Sequence, residues 1–107
     1  MKESDWKTFK KIKEIAIEKF CNGVLDESQE VISDQSEHAH NKYLSLYDLL
    51  QKRNKKMAIL FDGHSRSNAA MQLIGIRSNG LADEAFICQL SEEFKERTDP
   101  QRLGLGL

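Results

Sequence analysis

Apolar side chains recur along the first third of the chain at steps of three and four: Trp6, Phe9, Ile12, Ala16, Phe20 and Val24. That spacing returns each side chain to the same face of an α-helix, so these residues predict one buried stripe. Ser4 or Asp5 is placed to cap the first turn, because a short side-chain oxygen accepts an amide proton that has no partner inside the helix. Asn22-Gly23 is a turn-forming pair, and glycine within a helix costs about 1 kcal/mol relative to alanine. Leu25, Ser28, Val31 and Ile32 nevertheless keep the helical step, which carries the predicted helix over 5–32.

Asp34-Gln35-Ser36-Glu37 has the reciprocal capping pattern, in which Asp34 accepts an amide of a new helix and Glu37 reaches back to its start. From there the apolar period persists through Tyr43, Leu46, Tyr47, Leu50, Met57, Leu60, Phe61, Met71 and Ile74, with His64 on the same line. No proline interrupts it, and Asn79-Gly80 supplies a stop at which glycine can turn left-handed. A second helix over 35–78 follows, roughly 65 Å long if Gly63 does not break it. Ala82 to Arg97, with Ala85, Phe86, Leu90 and Phe94 inward and Ile87 or Cys88 at the margin, predicts a third helix over 82–97. The remainder, 100–107, reads as a tail of glycine-spaced leucines, Leu103, Leu105 and Leu107, that is either loose or a docking peptide.

These elements predict an all-α domain over 1–99: a long antiparallel helical hairpin with a shorter third helix. A first helix of roughly 40 Å cannot cover the whole stripe of the second. Burying one Leu or Phe side chain is worth about 1.5 to 3 kcal/mol, so several left in water would consume much of a net stability of about 5 to 15 kcal/mol. The uncovered ridge, Tyr43, Leu46, Tyr47, Leu50, Met57, Leu60, Phe61, Met71 and Ile74, is therefore expected at the interface of a homodimer that completes a helical bundle. The alternative is a true turn at Gly63 and a four-helix monomer.

Composition narrows the function without naming it. With 39% apolar and 31% charged residues among 107, the core is thin and the solvated faces broad. Sixteen basic and 17 acidic side chains nearly cancel, which gives no global field for a polyanion. Locally, Asp26, Glu27, Glu30, Asp34 and Glu37 form an acidic run and Lys52, Arg53, Lys55 and Lys56 a basic one; they are either two solvated faces or a patch that meets its opposite on a second copy. The longest clean apolar run, Met57 to Phe61, is too short to span a bilayer, and the amino-terminal residues alternate lysines with apolar residues unlike a signal peptide, so no membrane partner and a cytoplasmic location are expected. Cys21 and Cys88 lie far apart without metal spacing and read as free thiols.

Chemistry has one candidate place. Asp62-Gly63-His64-Ser65-Arg66-Ser67-Asn68 interrupts the apolar period with ionisable groups. On a continuous helix Asp62 and Arg66 pair across one turn, while His64 and Asn68 point inward, where they either fix the register of a dimer seam or line a small ligand pocket with His64 as proton carrier; the remaining reading is a solvent-exposed kink. The serine-nucleophile pattern G-x-S-x-G and the P-loop are both incomplete here. His38 and His40 diverge on a helix, so no metal is expected, and no motif calls for a cofactor. The bend Arg77 to Leu81 suits a helix-turn-helix, but Asp83-Glu84 and Glu92-Glu93 would press carboxylates toward phosphates, which disfavours nucleic acid. Trp6, Tyr43 and Tyr47 read as core residues at the contact of the first two helices.

The expectation is a small non-enzymatic interaction or regulatory module that acts as a homodimer and offers a helical surface to a protein partner. The alternatives are an enzyme or small-ligand binder using Asp62, His64, Arg66 and Asn68, and, less favoured, a nucleic-acid regulator using Lys52 to Lys56, Arg66 and Arg77.

Overall fold

A computed structural model describes residues 1–104. All regular structure among them is helical: α1 (Glu3–Ser33), α2 (Ala39–Phe61), α3 (Arg66–Ser78), α4 (Glu84–Ile87) and α5 (Glu92–Arg97). The helix α1 runs unbroken through Asn22-Gly23, in keeping with its apolar period. It is not capped by Ser4 or Asp5: the helix begins after Lys2, and Asp5 is spent elsewhere. Asp34 likewise does not open the next helix. Its carboxylate accepts from the backbone and hydroxyl of Ser36, at 2.9 and 2.6 Å, which holds a tight connection, and α2 starts only at Ala39.

Lys42 reaches the Ile32 carbonyl, Arg53 meets Glu27, and Phe61 meets Phe20 edge-on at 5.9 Å, so α1 and α2 form an antiparallel hairpin. The expected single helix over 35–78 is two helices. Asp62 and Ser65 are extended, Gly63 takes φ 84°, and the chain folds back so that α3 lies along the amino-terminal half of α1. Alanine at Gly63 would place its Cβ 3.2 Å from the Asn68 amide at a positive φ, whereas Gly23 has nothing within 4 Å of its would-be Cβ. Gly63→Ala is therefore expected to lower unfolding stability by about 1 to 2 kcal/mol and Gly23→Ala to raise it by about 0.5 to 1 kcal/mol; urea melts of the two variants, with opposite signs, check this.

The third predicted helix is also two. Asp83 and Ser91 each accept an amide of the turn that follows, Ala85 and Phe94 respectively, so each starts its own short helix, α4 and α5. The α3 stop agrees with the Asn79-Gly80 reading: Gly80 has φ 68°, Leu81 donates to Ile76 and Gly80 to Arg77, the paired bonds of a glycine-terminated helix. Pro100 is buried, so the carboxy-terminal segment is anchored at its start; Leu103 is exposed, and Leu105 and Leu107 lie outside the described residues.

The core gathers where α1, the end of α2, α3, α4 and α5 meet: Phe9, Ile12, Ala16, Ala69, Leu73 and Ile76 are fully buried, with Trp6, Leu60, Phe61, Ile87, Leu90 and Phe94 around them. Asp5, nearly fully buried, is a tie across this head. Its carboxylate accepts from the Ser91 backbone at 2.8 Å and hydroxyl at 2.6 Å, 86 residues away. Asp5→Ala would strand both donors and is expected to lower stability by about 1 to 3 kcal/mol, with amide exchange rising first in residues 91–97. Among the described residues the distal halves of α1 and α2 carry no third helix, and the molecule extends over 53 × 25 × 22 Å as a head with a projecting hairpin.

Candidate functional site

The polar turn is built from the fold-back at Gly63. Its carbonyls are held from two sides: Gln72 of α3 donates to Asp62 and Gly63, both at 2.7 Å, and Lys13 of α1 donates to Gly63 at 2.8 Å. Lys13 is only 7% exposed. Burial pulls its ammonium below the ordinary lysine value, partly offset by the nearby Asp62 carboxylate. Neither Gln72 nor Lys13 stood out in sequence, because each serves a turn that the unbroken period conceals.

The structure brings two of the predicted residues, His64 and Arg66, together on the Trp6 ring, and the pairings expected on a continuous helix do not form. Asp62 ends α2 and makes no pair with Arg66, whose guanidinium instead meets Glu3 at 2.8 Å and lies 5.5 Å over the Trp6 ring. His64 and Asn68, expected inward, are both exposed. The imidazole leans on Trp6, centroids 5.1 Å apart, with Nδ1 3.4 Å from the Lys13 ammonium. Ser65 and Ser67 bond to each other at 3.1 Å rather than to His64. The arrangement therefore offers neither an activated nucleophile nor a base oriented by a carboxylate. It clamps the amino-terminal turns of α1 to the start of α3.

Two open polar clefts lie on the head. One, of about 370 Å³, is bordered by Arg77, Glu84 and Asp99, but the Arg77 guanidinium is committed to the Lys95 carbonyl at 2.7 Å and the Thr98 hydroxyl at 3.1 Å. The other, of about 270 Å³, lies between Lys2 and Arg97. Among the described residues no three His, Cys, Asp or Glu side chains come together to hold a metal ion, and no helix is long and apolar enough to cross a membrane. Cys21 is half-buried, Cys88 exposed, and both are free.

The hairpin is different in kind. Of the ridge expected at an interface, Leu60 and Phe61 are buried within the chain's own core, and Leu46, Met57 and Ile74 are half-buried. Tyr43, Tyr47, Leu50 and Met71 are exposed, and the two tyrosines are not the core residues that their spacing implied. Across from them on α1 stand Leu25 and Ile32, absent from the predicted ridge. Leu25 and Leu50 line one apolar groove of about 200 Å³ together with Phe20, Cys21, Val24 and Met57. Ile32 lies a heptad beyond Leu25, and Tyr43 a heptad before Leu50, so each pair extends the same flank along its helix. The exposures are 65% for Leu25, 53% for Ile32, 65% for Tyr43, 56% for Tyr47 and 42% for Leu50.

This flank is almost free of charge. Its polar neighbours one turn away are Asn22, Gln29, Gln51 and Asn54, and Gln51 donates to the Tyr47 hydroxyl at 2.9 Å. Arg53, which lines the groove, is tied by two hydrogen bonds, 2.8 and 3.2 Å, to Glu27, which holds the Glu27 carboxyl below its ordinary value and raises the guanidinium. The opposite flank carries the charges: a second cleft there is bordered by Lys19, Glu27, Arg53 and Lys56 and reaches Leu81 after α3. The apolar groove is lined by α1 and α2 alone, and at its head end Phe20 and Met57 pack against the core. Comparison of the chain with known protein families, with curated proteins and with solved structures gives no match.

Proposed function

We propose that this protein is a non-enzymatic helical interaction module that works as a homodimer, its hairpin docking flank to flank on a second copy. The observation that supports the reading is the uncharged row Leu25, Ile32, Tyr43, Tyr47 and Leu50 on a chain of which 31% is charged. A surface that must meet itself across a two-fold axis brings every charge near a copy of that charge, so freedom from charge suits self-association. The turn-back at Gly63 shelters the lower ridge, Leu60 and Phe61, and leaves the upper one bare.

Magnitudes fit a reversible dimer. Ten such side chains leave water in a two-fold pair, and at about 1 kcal/mol each for their exposed parts the gain of about 10 kcal/mol exceeds the lower estimate of the cost of association, about 4 kcal/mol, by about 6 kcal/mol. A four-helix arrangement that dissociates at tens of micromolar is the expected result. Sedimentation equilibrium from about 1 to 200 µM tests it: a mass that doubles across this range supports the module, and a monomer of full helicity at the upper limit removes it.

A further inference from the structure

Asn-Gly occurs twice in the chain, at Asn22-Gly23 and at Asn79-Gly80. Glycine has no Cβ, so its backbone nitrogen is the least hindered toward the side chain that precedes it. We infer that Asn79 is a site of deamidation and that Asn22 is not. The Gly80 nitrogen forms a bond to Asn79 Cγ, the Cγ–Nδ2 bond breaks, and the proton that the nitrogen gives up leaves with the amino group as ammonia. Water then opens the cyclic imide at one carbonyl or the other, which leaves an aspartyl or isoaspartyl residue at position 79. One water is consumed and one ammonia released, with no oxidation or reduction.

Exposure does not separate the two pairs, since all four residues are exposed. The backbone does. Asn22-Gly23 lies inside α1, where the Gly23 nitrogen belongs to the helical hydrogen-bond ladder, and closing the ring there opens a 31-residue helix in its interior. Asn79 stands just past the end of α3 with φ −94° and ψ 8°, and Gly80 follows at φ 68° with nothing within 4 Å of its would-be Cβ. The Gly80 nitrogen donates to the Arg77 carbonyl at 3.1 Å, and Asn79 Nδ2 to the Gly75 carbonyl at 2.7 Å. These are the bonds of an exposed helix end, which open locally at far lower cost than those of a helix interior. The reaction also alters the turn. A carboxylate in place of the Nδ2 donor would face the Gly75 carbonyl at the negative end of α3. The isoaspartyl form adds a methylene to the main chain, just before the bonds from Leu81 to Ile76 at 3.0 Å and from Lys19 to Gly80 at 2.9 Å. Deamidation therefore loosens the connection from α3 to α4.

The full chain, held at mildly alkaline pH and then digested, is mapped by mass spectrometry for the gain of about 1 Da that exchange of the amide for a carboxyl brings. In the folded chain the peptide holding Asn79 is expected to convert at least about ten-fold faster than the one holding Asn22, because a helix end opens more readily than its interior. In strong urea the two rates should come within about two-fold of each other, since neither pair then has a helix around it. Asn79→Asp, which makes one product directly, is expected to lower the urea midpoint of unfolding. Equal conversion at the two pairs in the folded chain, or earlier conversion at Asn22, overturns the assignment. So does a preference for Asn79 that persists in urea, which would belong to the neighbouring sequence and not to the fold. An Asn79→Asp chain with the parent's midpoint overturns the loosening of the turn.

Discussion

Leu25→Glu combined with Leu50→Glu is expected to leave a folded monomer at every concentration at which the parent chain pairs. Four leucines leave the two-fold contact, each giving up about 1 kcal/mol of burial. Four carboxylates would have to lose water in their place, at about 1 kcal/mol or more each. The dissociation constant should therefore rise at least about 1000-fold, since 1.4 kcal/mol is a factor of ten. Stability of the single chain should move little, because Leu25 is 65% exposed and Leu50 42% exposed before any pairing. Ile59 provides the control. It is 83% exposed, more than either leucine, but stands nine residues from Leu50, about two and a half turns, and so on the opposite side of α2. Ile59→Glu should leave the dimer intact. Equal loss of pairing in both variants would mean that the flank has no special role.

The helical class was legible because α1 repeats its apolar residues without interruption, and Phe9, Ile12 and Ala16 are buried as that spacing implies. The fold-back at Gly63 was not, for a reason that is itself physical. Leu60, Phe61, Met71 and Ile74 keep steps compatible with one helix, so the period runs through a four-residue turn as though it were absent. A turn resets the helical phase. After it, α3 buries Ala69, Gln72, Leu73 and Ile76, and Met71 falls on the solvent side. The polar residues 62–68 marked the break correctly as an interruption, but their chemistry belonged to the turn, with Lys13 and Gln72 as its holders. Tyr43 and Tyr47 illustrate the complementary limit. Periodicity tells which side of a helix is apolar, and only the tertiary arrangement tells whether another element arrives to cover it.

That phase reset carries the second large effect, on stability. Leu73→Ala is expected to lower unfolding free energy by about 2 to 5 kcal/mol, the range for emptying a fully buried leucine site whose neighbours cannot close in. Leu73 is 0% exposed and sits in one cluster with Phe9, Ile12 and Ile76, so the void would open where α1 and α3 meet. Against a total of about 5 to 15 kcal/mol, such a loss brings the chain near its unfolding threshold. Met71→Ala, two residues earlier and 75% exposed, should change stability by no more than about 0.5 kcal/mol. A continuous helix over 35–78 demands the reverse, with Met71 in the seam and Leu73 off it. Urea melts of the two variants at one protein concentration therefore decide between the folded-back chain and the long helix: a costly Met71→Ala and a silent Leu73→Ala would refute the turn at Gly63 and, with it, the head from which the hairpin projects.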